Sequence, residues 1–323
     1  MNGSNGAILS LENIYKHFPV RRSFFSRETL SVHAIDGVSM HVPPGKTVGL
    51  VGESGCGKTT LGRVAIRLIP PDGGRIRFEG RDITELSGEE MRRTRKEMQI
   101  IFQDPYSSLN PRMRVCDIVG EGWLVHGVAG RTEIRRMAER LLLRVGLSPD
   151  ATDKYPHEFS GGQRQRIGIA RAIALSPKLI VADEPVSSLD VSVQAQILNL
   201  LMDIQQEYGM AYLFVSHDLR VIRHVSDGVA VMYLGKLMEV SSAEDLFRHP
   251  LHPYTRSLLS AVPMLGGAPR EKIVLRGEIP SPLFPPPGCR FHTRCFMAQK
   301  MCEEVCPLLR EAAPGRFAAC HFV

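Results

Sequence analysis

Apolar positions in the first part of the chain fall into short runs bounded by turn-forming residues. Residues 8–18 alternate, and residues 32–51 carry apolar runs broken by Asp36-Gly37 and Pro43-Pro44-Gly45. This pattern predicts strands joined by tight turns. Phe18 is expected to end the first strand, and the basic, polar residues 21–29 to form an exposed loop. Val48, Leu50 and Val51 read as the end of a buried strand and residues 52–57 as a tight loop. Thr59, Leu61, Val64 and Leu68 then mark a helix. Beyond a turn at Pro70-Pro71-Asp72-Gly73-Gly74, residues 75–80 predict a hairpin, residues 89–96 a charged helix, and residues 98–103 a second buried strand ending in Gln103.

The middle of the chain changes period. Residues 110–158 are helix-rich, with Ile134, Met137, Leu141, Leu142 and Val145 at amphipathic spacing before Gly146. A further helix over 164–175 follows Ser160-Gly161-Gly162-Gln163. Residues 178–184 predict a strand closed by the adjacent carboxylates Asp183 and Glu184 and stopped by Pro185. Residues 187–190 open a helix over 191–208, residues 211–217 form a strand ending at His217, and residues 229–234 one more. Gln103, Asp183-Glu184 and His217 are thus three polar endings of apolar strands, and strand C-termini of an open α/β sheet converge on one crevice.

Composition narrows the class. With 323 residues, the chain can build one large domain with an appendage, or two domains. A hydrophobic fraction of 43% beside 23% charged residues is ordinary for a globular protein. No apolar run approaches the ~20 residues that span a bilayer, and the first residues lack the pattern of a signal peptide, so a cytosolic chain is expected. The net charge of +6 is compatible with nucleic acid or an anionic membrane face, but the Lys and Arg residues are dispersed.

Residues 52–59 fit G-x-x-x-x-G-K-[ST] in full. Gly52, Gly55 and Gly57 let the backbone wrap closely, so that N–H groups and the helix start face phosphate oxygens. Lys58 would reach the β- and γ-phosphates, and the Thr59 hydroxyl would hold Mg²⁺. Asp183 would help to hold the metal, and Glu184 would polarise the attacking water. Each piece alone has a plainer reading: a glycine-rich turn, a helix cap with a surface charge, a capping histidine, or a core aromatic at Phe18 in place of a nucleobase platform. Residues 160–163 place a serine and two glycines at a second helix start, a weak anion signal by itself.

Together these residues closely resemble the ATP-binding subunits of ABC transporters, over residues 8–323. Residues 52–59 match the family's Walker A, Gln103 its Q-loop, residues 160–163 its signature, residues 179–183 its Walker B with Glu184 following, residues 187–190 its D-loop, and His217 its switch histidine. Phe159 stands where leucine is usual. The resemblance implies an α/β P-loop NTPase (RecA-like) core with an antiparallel β subdomain, an α-helical subdomain over about 110–165 and a small Cys-rich extension. The ATPase domain would be 8–248 and the extension 249–323. It also implies a head-to-tail dimer in which ATP lies between Phe18, Gly52, Ser54, Gly55, Cys56, Gly57, Lys58, Thr59 and Thr60 of one subunit and Ser160, Gly161, Gly162 and Gln163 of the other. Mg²⁺ would be held by Thr59, Gln103 and Asp183, with Glu184, His217, Gln103 and Lys58 as the catalytic set.

Gly-Glu-Ser-Gly-Cys-Gly-Lys-Thr, the run after Gln103, and His249-Pro-Leu-His-Pro-Tyr-Thr255 look like the ATPases of dipeptide and oligopeptide importers. This implies a second, non-identical ATPase subunit, two membrane-spanning permease subunits, an extracytoplasmic peptide-binding protein and no nucleic acid. The chain would sit peripherally on the cytoplasmic face of the cell membrane, with the segment after Gln103 near a coupling helix. Related systems move nickel or opines. A soluble ABC ATPase acting on nucleic acid or ribosomes would commonly fuse two cassettes or insert long coiled coils, and neither is present here. A cluster-based sensor with a degenerate nucleotide site conflicts with a full set of catalytic positions.

The last 35 residues crowd Cys289, Cys295, Cys302, Cys306 and Cys320, whereas Cys56 and Cys116 stand alone. In a cytosolic chain such a cluster points to metal rather than disulfides. Spacings of five, six and seventeen residues between Cys289, Cys295, Cys302 and Cys320 suit zinc or a [4Fe-4S] cluster. The family resemblance favours iron and sulfur on these four, leaving Cys306 outside the set. Five prolines between 280 and 287 predict a stiff linker ahead of them.

Overall fold

β1 (Leu9–Arg21) pairs antiparallel with both β2 (Thr29–Val42) and β4 (Gly73–Phe78), and β5 (Arg81–Asp82) closes a hairpin on β4. The chain is described from a computed structural model over residues 6–21, 29–261, 273–275 and 277–323. The four strands form one sheet in the order β2-β1-β4-β5. A second, eight-stranded sheet contains β3 (Thr47–Val51), β6 (Met98–Ile101), β7 (Leu179–Asp183), β8 (Ala211–Ser216), β9 (Gly228–Tyr233), β10 (Lys236–Ser242), β11 (Arg310–Ala313) and β12 (Arg316–Ala318). Its order is β11-β12-β10-β9-β3-β8-β7-β6; the run from β9 to β6 is parallel, and the strands from β10 to β11 are antiparallel.

Every residue of β3, β7 and β8 is buried. Covering on both faces explains why these strands read as continuous apolar runs instead of alternating ones. The alternation is still present in what each side chain touches. Leu179 and Val181 join Leu50, Leu61 and Leu213 in the core against the antiparallel sheet, while Ile180, Ala182 and Phe214 join the helical side with Trp123, Leu142 and Ile167. Helices Val115–Val125, Arg131–Arg144 and Gly161–Ile173 build the helical region expected near 110–165. Trp123 Nε1 donates to the Ala174 carbonyl at 2.7 Å, tying the first of these helices to the end of the third.

Three element ends differ from the sequence expectation. The helix after the phosphate loop spans Lys58–Ala65, short of Leu68, because Arg67 turns left-handed (φ 56°) and its guanidinium donates to the carbonyls of Ile83 and Leu86. β1 runs past Phe18, since Pro19, Val20 and Arg21 continue the ladder with β2. The loop expected at 21–29 lies, over 22–28, outside the described residues. β6 stops at Ile101, two residues before Gln103. Strands β10, β11 and β12 were not foreseen, and they extend the sheet with chain from the far C-terminus: Phe317 pairs with Val240 and Ala318 with Glu239.

The proline segment at 280–287 turns at Ser281 and is pinned to β2, with His33 N donating to the Pro282 carbonyl at 3.1 Å. No helix among the described residues is long and apolar enough to cross a membrane.

Candidate nucleotide site

β3, β8, β7 and β6 are successive neighbours in the sheet, and their C-terminal ends deliver the expected chemistry in one row. The phosphate loop follows β3, His217 follows β8, Asp183 and Glu184 end β7, and Gln103 follows β6. Phe18, Ser54, Gly55, Gly57, Lys58, Thr59, Thr60, Gln103, Glu184 and His217 all line one cleft of about 520 Å³. Val32, Ala34 and Pro282 complete its wall beside Phe18, which is 36% exposed and faces Val32 across the β1–β2 ladder.

Gly57 has φ 106°, and a Cβ there would lie 2.1 Å from the Ala34 carbonyl. Only glycine allows that left-handed entry into the helix Lys58–Ala65. The helix start carries neither a side-chain cap nor an acidic residue in its first turn, so its N–H groups are left for an anion. Lys58 is buried, and its Nζ donates to the carbonyls of Gly52 (2.8 Å) and Glu53 (2.9 Å). Cys56 is turned into the core behind the loop, where burial raises its thiol pKa.

Thr59 Oγ1 donates to Asp183 Oδ1 at 2.8 Å. Asp183 is 1% exposed, and its other oxygen, Oδ2, accepts no hydrogen bond; Arg63 approaches it only to 3.8 Å. Burial pushes this carboxyl above its ordinary range, against the Thr59 bond and the Arg63 charge. A buried carboxylate with an orphan oxygen beside a threonine hydroxyl suits a hard cation, so the donor set fits Mg²⁺.

Glu184 adopts φ 46°, unusual for a non-glycine residue, and its N–H donates to the Val215 carbonyl at 3.0 Å. Its Oε2 accepts from Gln103 Nε2 at 3.1 Å, and His217 Nδ1 lies 3.1 Å from the same oxygen. Glu184 is thereby held at the cleft by residues from the strand ends on either side.

Ser160, Gly161, Gly162 and Gln163 do not line this cleft. Ser160 and Gln163 instead form a capping box at the start of the helix Gly161–Ile173, with Ser160 and Gln163 both exposed. That helix grips the segment after Gln103. The Arg164 guanidinium lies 3.6 Å over the Tyr106 ring, and Arg171 donates to the Ser108 carbonyl at 2.6 Å. Asp190 caps the helix Val191–Tyr208, accepting from Val193 N.

At the C-terminus, Cys289, Cys302 and Cys320 are buried, Cys295 is half-buried and Cys306 is exposed. Cys289 N donates to the Cys302 carbonyl at 2.8 Å. Burial pushes the Cys289 thiol up to about 11, and the neighbouring Cys302, Cys295 and Cys320 add to the rise. Among the described residues, three candidate ligand atoms come within 4.8 Å of one another only at His17, His33 and Asp36, where Arg290 and Lys236 already pair with the Asp36 carboxylate.

Sequence reasoning missed Glu53, Tyr254, Arg290 and Arg294. Glu53 is one of the unspecified positions of the phosphate-loop pattern, and no local pattern marks Tyr254, Arg290 or Arg294, whose partners lie far away along the chain.

The model for the ABC transporter family matches residues 35–187, and that for the C-terminal region of oligopeptide and dipeptide transporters matches residues 238–302. The oligopeptide transport ATP-binding protein AppF of Bacillus subtilis is 54% identical over 318 residues, covering 97% of each chain. The chain belongs to the ATP-binding proteins of ABC transporters. A putative peptide import ATP-binding protein of Brucella ovis is 52% identical over 314 residues, again covering 97% of each. Among solved structures, a post-hydrolysis dimer of the ATP-binding cassette MJ0796 bound to ADP and Pi aligns at TM-score 0.65 and 25% identity, over 73% of this chain and 98% of that one. CbiO1 of Clostridium perfringens, part of the cbiONQ transporter complex, aligns at TM-score 0.64 and 28% identity, over 76% and 92%. This ABC ATPase therefore has the family's P-loop α/β fold, binds ATP with Mg²⁺, and couples its hydrolysis to transport.

Proposed function

We propose that this ATPase drives import of dipeptides and oligopeptides, as one half of a heterodimer beneath two permease subunits supplied by an extracytoplasmic peptide-binding protein. The observation that carries the site assignment is the cleft itself, where four adjacent strand ends present Lys58, Thr59, Glu184, Gln103 and His217 together, with Asp183 behind them hydrogen-bonded to Thr59. Full-length similarity to peptide-import ATPases supports the solute class. The ATPase domain is assigned to 8–248 and the extension to 249–323, and the chain is placed peripherally on the cytoplasmic membrane face.

Phe18 stacks on adenine, and the backbone over 52–57 with the helix start receives the phosphates. Lys58 leaves the carbonyls of Gly52 and Glu53 for the β- and γ-phosphates. Thr59, Asp183 and Gln103 hold Mg²⁺, which when bound offsets phosphate charge. Glu184 takes the proton of the attacking water, held in line by Gln103, while His217 turns from Glu184 to the γ-phosphate. Residues 160–163 face a nucleotide in the partner ATPase. The exposure of Ser160 and Gln163, and the absence of all four residues from the lining of the chain's own cleft, support that reading, so an isolated subunit binds ATP but hydrolyses it poorly.

In the tail, Cys289, Cys295, Cys302 and Cys320 hold a [4Fe-4S] cluster. The burial of Cys289, Cys302 and Cys320, and the influence of the other three thiols on that of Cys289, support the set.

The test is Glu184→Gln in the assembled complex. It should bind ATP and trap the closed dimer, with turnover falling at least ~100-fold, the lower end for loss of a general base. Near-normal hydrolysis would remove Glu184 from its role. ATP-dependent uptake of di- and tripeptides into vesicles should exceed that of nickel or opines; the reverse order overturns the solute assignment.

A further inference from the structure

Glu53 sits inside the phosphate loop but does not line the cleft. Its main chain is fully engaged: the N–H donates to Tyr254 Oη at 3.0 Å, and the carbonyl accepts from Lys58 Nζ and from Cys56 N. Its carboxylate is held from behind. Arg294 Nη1 donates to Oε2 at 2.6 Å and Nη2 to Oε1 at 3.1 Å, a two-pronged pairing in which the arginine side chain is only 8% exposed. Tyr233 and Tyr254, with ring centroids 4.8 Å apart, pack with Phe291, and the Arg294 guanidinium lies 5.9 Å from the Tyr233 ring.

Two of these holders, Tyr254 and Arg294, lie beyond residue 249, and Arg294 sits within the interval bounded by Cys289 and Cys295. In the same interval Arg290, 6% exposed, donates to the Leu234 carbonyl and the Asp36 carboxylate, fixing β2 on the other flank of the cleft.

We propose that Arg294 is a positioning residue for the nucleotide: through Glu53 it fixes the phosphate-loop backbone and the resting place of Lys58, so the cysteine-bearing segment sets nucleotide affinity. The inference rests on reading the cleft as the nucleotide site. A part-buried carboxylate that loses its guanidinium must turn to water or shift, and the loop carrying it supplies the amides that meet phosphate. Arg294 touches neither nucleotide nor attacking water. Its loss therefore acts on binding and leaves the chemical step of the bound state intact.

Full-length protein is titrated with a fluorescent ATP analogue and Mg²⁺, comparing parent, Arg294→Ala, Arg294→Lys, Glu53→Gln and the Arg294→Ala/Glu53→Gln double variant. Arg294→Ala should weaken binding by about 5- to 150-fold, the ordinary range of coupling between two sites. Arg294→Lys should recover part of the loss, and the double variant should bind no worse than the weaker single. In the assembled complex KM for ATP should rise while kcat at saturation stays within about twofold. Arg294→Ala with an unchanged Kd but a lowered melting temperature overturns the proposal, as do single effects that multiply. Should Arg294→Ala not fold, Tyr254→Phe, which removes only the hydroxyl accepting from Glu53 N, carries the same expectation; an unchanged Kd there also overturns it. A parent that fails to bind the analogue would refute the nucleotide reading instead.

Discussion

Asp183→Asn separates what the carboxylate does for binding from what it does to the fold. Asp183 is buried; its Oδ2 accepts no hydrogen bond and meets the Arg63 guanidinium only at 3.8 Å, while Oδ1 accepts from Thr59. Removing an unsatisfied buried charge relieves about 1–3 kcal/mol, and exchanging the charge-assisted Thr59 bond for a neutral one returns about 1 kcal/mol. The variant should therefore be more stable than the parent by about 1 kcal/mol at neutral pH without ligand.

With Mg²⁺ and ATP the order should invert. A ligand at 100 times its Kd stabilises the parent by about 2.7 kcal/mol, most of which the variant loses with its metal ligand. The pH dependence has a fixed sign. Because the folded-state pKa is raised, both states are protonated below the ordinary carboxylate range and the charge costs nothing there; the penalty grows as pH rises through the raised value. The advantage of the variant should thus fade toward pH 4. Melting temperatures with and without Mg-ATP across this pH range provide the assay. A variant less stable than the parent at neutral pH without ligand, or the same order in both conditions, would refute the reasoning.

His252 caps the helix Pro253–Ser260 with Nδ1 accepting from Tyr254 N, and burial lowers its pKa from 6.5 to about 4. Its contribution is present above pH 6.5 and lost as pH falls toward 4, about 3 kcal/mol in all. His252→Asn, which keeps a capping acceptor, should flatten acid unfolding; an unchanged acid limb would argue against this origin. Anaerobically purified protein should show visible absorption with about four iron per chain, lost in Cys302→Ser and kept in Cys306→Ser. Stoichiometric zinc instead of iron would overturn the cluster.

The parts legible in the sequence are those whose signal is local. Residues 52–59 announce a phosphate loop because loop, glycines and helix start are contiguous, and Asp183, Glu184 and His217 are readable because each ends an apolar run. The sheet then places them side by side without further information. What stayed hidden depends on distant partners. β11 and β12 are short and part-exposed, and they gain meaning only when Phe317 pairs with Val240 of β10. Glu53 looks like a solvated loop residue until Arg294 and Tyr254 meet it, and Leu68 satisfied the helical period although Arg67 had already turned the chain.

The grip on Glu53 also has a timing. Its guanidinium partner lies 241 residues later in the chain. At a synthesis rate of roughly 5–20 residues per second, on the order of 10–50 s pass between the two residues being made. During that interval the growing chain holds a complete phosphate-loop sequence whose rear support does not yet exist. The loop is among the first chemical features to be made and among the last to be braced, so a nascent or C-terminally truncated chain carries the motif without the scaffold that steadies it.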